Sequence, residues 1–155
     1  MLQSTTRKVA KQNALIAIVA STYNSKYVDG MLTAAIETLS KAGVGEVELL
    51  RVPGAFEIPV VVAKLARCKR QRPEAIICLG VILRGKTTHA DQVGQTVSHQ
   101  LAGLAVETGV PVIHEVLLLE NAAQARARCL STKTNRGAEA AHTALAMAGL
   151  LRQIP

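Results

Sequence analysis

The sequence predicts an α/β fold, a four-stranded parallel sheet with helices on both faces. Three observations predict it. Short apolar runs alternate with segments of helical period. The runs are continuous and rich in Val and Ile, as in strands buried on both faces. Aromatics are almost absent (Phe56, Tyr23, Tyr27 and no Trp), so the core must be built from Val, Ile, Leu and Ala.

In chain order, the polar residues 1–12 read as an arm or a frayed end. Ala14 to Ala20 forms the first strand. Val28, Met31, Leu32, Ala35 and Leu39 make a helical stripe closed by Gly43. "VELLRV" (Val47 to Val52) is a more polar strand, expected nearer an edge. Ile58, Val61, Val62 and Leu65 make a second stripe, with Pro59 tolerated in its first turn. Ala75 to Leu83 is the longest apolar run and the third strand. Val93, Val97, Leu101 and Leu104 make the third stripe, closed by Gly109. Val110 to Ile113 is a fourth, short strand. A short helix is expected over Asn121 to Cys129, and Ala138, Ala141, Leu145 and Ala148 make the last stripe. No repeat, low-complexity tract or linker divides the chain, so residues 1–155 are expected to form one domain.

The net charge of +7 invites a nucleic-acid reading. Binders of single strands need aromatic platforms for the bases, and this chain lacks them. The basic run at Arg67, Lys69, Arg70 and Arg72 reads as a solvated helix end. The three cysteines (Cys68, Cys78, Cys129) show no C-x-x-C spacing, so no zinc or disulfide framework is expected. With no signal core and no apolar run of membrane-spanning length, a cytoplasmic protein that binds no membrane is expected. Ala-rich helices on a chain of this size point to self-association.

"GVILRGKT" (Gly80 to Thr87) fits the phosphate-loop pattern G-x-x-x-x-G-K-[ST]. Between its glycines stand Val81, Ile82 and Leu83, which extend a strand rather than curl around an anion. A triphosphatase also needs a Mg²⁺-binding acid at another strand end. Neither Asp29 nor Asp91 ends an apolar run, and Glu120 after "VLLL" is a weak candidate. The pattern is therefore read as coincidence. Gly85, Lys86, Thr87 and Thr88 still precede a helix, whose free N–H groups could hold a single phosphate. From spacing alone the segment reads equally as a capped helix start with an exposed lysine.

In an open parallel sheet, ligands bind beyond the C-terminal strand ends. The segments expected there are "STYN" (Ser21 to Asn24), "VPGAFE" (Val52 to Glu57), "RGKTTH" (Arg84 to His89) and "HEV" (His114 to Val116). Together they place aromatic rings, a carboxylate, a basic anion site and imidazoles on one rim.

"VPGAFEIP", "RGKTTH", "TGVPVI" (Thr108 to Ile113) and "NRGAEAA" (Asn135 to Ala141) occur in the order and spacing of one family. From about Ala14 to the C-terminus the chain resembles the lumazine synthases of riboflavin biosynthesis. The resemblance implies a flavodoxin-like three-layer sandwich. It implies condensation of 5-amino-6-(D-ribitylamino)uracil with 3,4-dihydroxy-2-butanone 4-phosphate, without metal or cofactor. It also implies roles by position. Tyr23 stacks on the pyrimidine. Ala55, Phe56 and Glu57 hold the ribityl chain and ring. Val81, Ile82 and Leu83 read the uracil edge through their backbone. Lys86 and Thr87 bind phosphate, His89 transfers protons, and Arg128 binds phosphate. Lys133 lies near Arg128 without a clear match, and the mid-helix His99 and His142 carry no implied role. In the family each site lies between subunits of a pentamer, with the residues matching His114 and Arg128 supplied by the neighbour.

The chain departs from the family pattern at four positions. Lys86 stands where glutamate is frequent, Ala90 and Gln92 where aromatics are, and His114 where phenylalanine is common. His114 and Glu115 read as a polar pair at the ring edge. Two other outcomes share this resemblance: an archaeal-type riboflavin synthase, and a catalytically weakened shell or flavin-binding scaffold. Assembly size, whether pentamer, decamer or sixty-subunit shell, is left open by the sequence.

Overall fold

The computed structural model describes residues 15–155. The expected N-terminal arm and Ala14 lie outside them. The elements run β1 (Leu15–Ser21), α1 (Ser25–Lys41), β2 (Glu46–Val52), a 3₁₀ turn (Ala55–Glu57), α2 (Ile58–Ala66), β3 (Ala75–Leu83), α3 (His89–Thr108), β4 (Val112–Leu119), α4 (Ala122–Cys129) and α5 (Arg136–Leu151). The strands form one parallel sheet in the order β2-β1-β3-β4. This is the α/β, flavodoxin-like three-layer arrangement that the sequence predicts. Among the described residues no helix is long and apolar enough to cross a membrane.

Alternation along each strand sends side chains to two cores. Ile16, Ile18, Ala20, Ile77 and Leu79 pack under α1, α4 and α5. Ala17, Val19, Ile76 and Cys78 pack under α2 and α3. Burial holds the Cys78 thiol well above its ordinary range, so it stays a neutral core group. β2 lies at an edge, as its polar sequence suggests, and only Val52 in it is fully buried.

The fourth strand differs from expectation. It runs to Leu119, six residues past Ile113, because the polar pair that interrupts the apolar run is accommodated on two opposite faces. His114 faces α3 and bonds Ser98. Glu115 is buried on the other face, where Arg136 of α5 donates to both its oxygens at 3.0 Å. Burial pushes the Glu115 carboxyl above its ordinary value, and the Arg136 guanidinium opposes the shift. The two residues therefore do not pair with each other. Nor do they stand at the rim: His114 pairs in register with Cys78, in the body of the sheet.

The "NRG" stretch ties three helices together. Asn135 caps α5 by accepting the Gly137 N–H at 2.8 Å, and it donates to the Cys129 carbonyl (2.7 Å) and the Gly30 carbonyl (3.3 Å). α5 crosses α1 so closely that a Cβ at position 137 would collide with the Met31 main chain. Only glycine permits that approach. Gly137→Ala is expected to lower unfolding free energy by about 1–3 kcal/mol, the usual cost of overpacking, measured by urea denaturation.

Candidate active site

β1 leads to β2 on one side, and β3 lies on the other. The crevice beyond the C-terminal ends of β1 and β3 is thus the switch point of the sheet. A cavity of about 430 Å³ opens there. Its first wall is the turn after β1. The Thr22 and Tyr23 amides bond the Val52 and Pro53 carbonyls at 2.8 and 3.0 Å, which stands the Tyr23 ring out into solvent, 74% exposed.

Asn24 follows with φ 55°, the only non-glycine residue with positive φ among the described residues. It occupies the N-cap of α1 but makes no capping bond with its side chain. Its Nδ2 instead donates to the Val81 carbonyl at 2.7 Å, linking the ends of β1 and β3.

The second wall is the 3₁₀ turn, which presents Phe56 (59% exposed) and Glu57. A Cβ at Gly54 would come within 2.9 Å of Glu57 Oε2, so glycine there leaves the carboxylate its place.

The third wall is the end of β3. The β1–β3 ladder stops at Ala20–Leu79, whereas β3 continues to Leu83 against β4. The Arg84 amide bonds Leu119 on the β4 side. By strand alternation the main-chain groups of Val81 and Leu83 then face the crevice. Asn24 takes the Val81 carbonyl, and the ladder with β1, which ends at Leu79, does not reach the Val81 and Leu83 amides.

The fourth wall is the start of α3, with Thr87, His89, Ala90 and Val93. His89 is the first residue of the helix, and its amide lies 3.4 Å from Thr87 Oγ1. An adjoining cavity of about 480 Å³ shares Phe56, Glu57, His89 and Val93 and adds Gln92 and Thr96.

Arg84 holds this wall in place. Its Nε donates to both oxygens of Glu120 (2.9 and 2.8 Å), and Nη1 and Nη2 donate to Asp91 (2.7 and 2.9 Å). The guanidinium keeps the Asp91 carboxyl below its ordinary value, and both carboxylates raise that of Arg84. Asp91 and Glu120 are thereby engaged. Gly80, the first glycine of the phosphate-loop pattern, lies within β3, where a Cβ would press Val116 at 3.1 Å. Gly85, the second, has no positive φ. The loop does not curl as a triphosphatase loop must.

The structure thus brings Tyr23, Ala55, Phe56, Glu57, Val81, Ile82, Leu83, Thr87 and His89 around one cavity. Lys86 is exposed in the same loop but does not line it. His114 is half-buried under α3. Arg128 is exposed on α4, which packs on α1 and α5 across the sheet from α3.

Residues 13–152 match the family model described as 6,7-dimethyl-8-ribityllumazine synthase. This chain belongs to that family. A relative of the same name from Halorhodospira halophila is 40% identical over 148 residues, 94% of each chain. One from Pyrococcus furiosus is 39% identical over 139 residues, 90% of this chain and 86% of its own. One from Streptomyces coelicolor is 41% identical over 141 residues, with the same two shares.

Beside the residues implied by likeness to the lumazine synthase family, three were missed: Asn24, Ser98 and the bridging role of Arg84. Their partners lie between 7 and 57 residues away in sequence. Only the positive-φ tolerance of Asn at a helix start hinted at Asn24. Asn24→Asp replaces its donor with a carboxylate facing the Val81 carbonyl. It is expected to destabilise the fold by about 1–3 kcal/mol, read as a lower urea midpoint.

Proposed function

We propose that this chain condenses 5-amino-6-(D-ribitylamino)uracil with 3,4-dihydroxy-2-butanone 4-phosphate, giving 6,7-dimethyl-8-ribityllumazine, phosphate and water. The observation that carries the reading is the switch-point cavity. It combines two exposed aromatic rings, a carboxylate, strand-end amides and an imidazole at a helix start.

Each feature suits a part of the reaction. Tyr23 offers a flat face for a pyrimidine. The Val81 and Leu83 amides can donate to a uracil carbonyl, with the amide of a rigid strand fixing the ring's direction. Glu57 can accept from ribityl hydroxyls. Thr87 and the free N–H groups at the start of α3 suit a phosphate, and Lys86 adds charge beside them. The amine attacks the ketone and forms an imine, phosphate leaves, and the ring closes with loss of water. His89 is suited to move protons in these steps, because one imidazole nitrogen can accept a proton while the other donates. The chemistry requires no metal or redox cofactor.

Arg128 lies on the other face of the sheet and does not line the cavity of its own chain. We place that group, with His114, on a neighbouring copy in a pentamer or a multiple of pentamers. The whole chain then acts as one cytoplasmic domain with its sites between subunits, binding neither nucleic acid nor membrane.

Mixing the protein with both substrates should release phosphate and develop the lumazine absorbance. His89→Ala is expected to lower turnover by about 10²–10⁴-fold. Arg128→Ala is expected to raise the KM for the butanone phosphate. Product formation from lumazine alone would favour the riboflavin synthase reading, and ligand binding without turnover would favour a scaffold.

A further inference from the structure

His114 sits in the middle of β4 on the face covered by α3. Both of its ring nitrogens are engaged. Nδ1 lies 3.0 Å from the Val116 amide, which can only donate. Nε2 lies 2.6 Å from Ser98 Oγ. The Ser98 hydroxyl donates its one proton to the Gly94 carbonyl at 2.8 Å, so towards His114 it can only accept. The two ends agree on a single form: the neutral ring with its proton on Nε2. A proton added at Nδ1 would point at the Val116 N–H, so a charged ring must leave this position.

Among the described residues of the chain no opposite charge favours the cation. β3 presents the neutral thiol of Cys78, and α3 presents Ser98 and the Gly94 carbonyl. The nearest acid in sequence, Glu115, points to the other face and is held by Arg136. Of the charged groups on α3, Asp91 is held by Arg84 and Glu107 by Arg67, while His99 is exposed. Burial of the ring lowers its pKa from the ordinary value.

The consequence reaches the active site through α3. The helix begins at His89, and the bond from Ser98 is a polar tie to the edge strand, one turn and more beyond the Arg84 bridge at its first turn. We infer that Ser98 and His114 form a positioning pair that fixes α3, and with it His89, against β4 only while His114 is neutral. Acid then releases the helix through His114. The sign follows from the lowered pKa. The contribution of the pair is complete above about pH 6.5, the value of a free ring, and is lost as pH falls through the folded value.

The test uses the full-length protein with ¹⁵N-labelled histidine, which gives four imidazoles to assign. Between pH 8 and 5, His114 should show the Nε2–H form and titrate below the free-ring value, with the Val116 amide shifting in step. Ser98→Ala should lower the titration of His114 further, because the Nε2–H that Ser98 accepts is carried by the charged ring as well, and Ser98→Thr should restore it. A ring protonated at Nδ1, or a titration unmoved by Ser98→Ala, overturns the pairing. The kinetic arm rests on the proposed reaction. kcat/KM of Ser98→Ala should fall at neutral pH, where the wild type makes the tie, its acid limb should move to lower pH, and both should return in Ser98→Thr. Superimposed acid limbs, with the spectra as expected, would overturn the positioning role and leave the enzyme assignment intact. The spectra test the pair even in a protein that makes no lumazine.

Discussion

The Arg84 guanidinium makes four hydrogen bonds to two carboxylates, and those bonds join three pieces of the site wall. Glu120 directly follows β4, Asp91 lies in the first turn of α3, and Arg84 directly follows β3. The turn between β3 and α3 is thereby held at both ends, and Lys86, Thr87 and His89 ride on it. Lysine could not replace this group, because one ammonium cannot span two carboxylates in a planar fork. The groups are partly exposed, so the network adds little to global stability and is weakened by salt. Its effect is geometric: it sets where the imidazole at the start of α3 stands relative to Phe56 and Glu57.

Around that turn the rest of the site is made by strands of unequal length. β3 outruns β1 by four residues, from Gly80 to Leu83, and the surplus is the strip of main chain that faces the cavity. Asn24 closes one end of the strip and gives up the usual capping role to do so. The other face of the sheet is built for close approach: Gly30, Gly137 and the alanines of α5 let α1, α4 and α5 crowd together around Asn135. Arg128 belongs to that second face, which is why the proposed reaction calls on another copy of the chain.

Much of the fold was legible because its apolar runs are unbroken. β1, β3 and the stripes of α1 and α2 stand where their hydrophobic periods place them, whereas α5 buries Gly137, Ala140, Ala141, Ala144 and Ala148 and leaves Ala138 and Leu145 of the expected stripe half-buried. β4 was read too short because His114 and Glu115 interrupt it. Each finds a partner on its own face, Ser98 sixteen residues away and Arg136 twenty-one away, which no local pattern announces. The phosphate-loop pattern failed for a related reason. Its first glycine is small to make room for Val116 on the neighbouring strand and Ile58 of α2, not to free the backbone. At the site, the residues that gather around the cavity were named from family likeness, whereas the groups that hold them in position depend on tertiary contacts and emerged only from the fold.

The central claim is that the Arg84 network sets the position of the turn carrying His89. The most direct measurement is kcat/KM for lumazine formation by Arg84→Ala, compared with wild type at low ionic strength. A displacement of the imidazole by about 1 Å should cost about 100-fold, while the far-ultraviolet circular dichroism stays that of the folded chain. Wild-type kcat/KM in a folded Arg84→Ala protein would contradict the account.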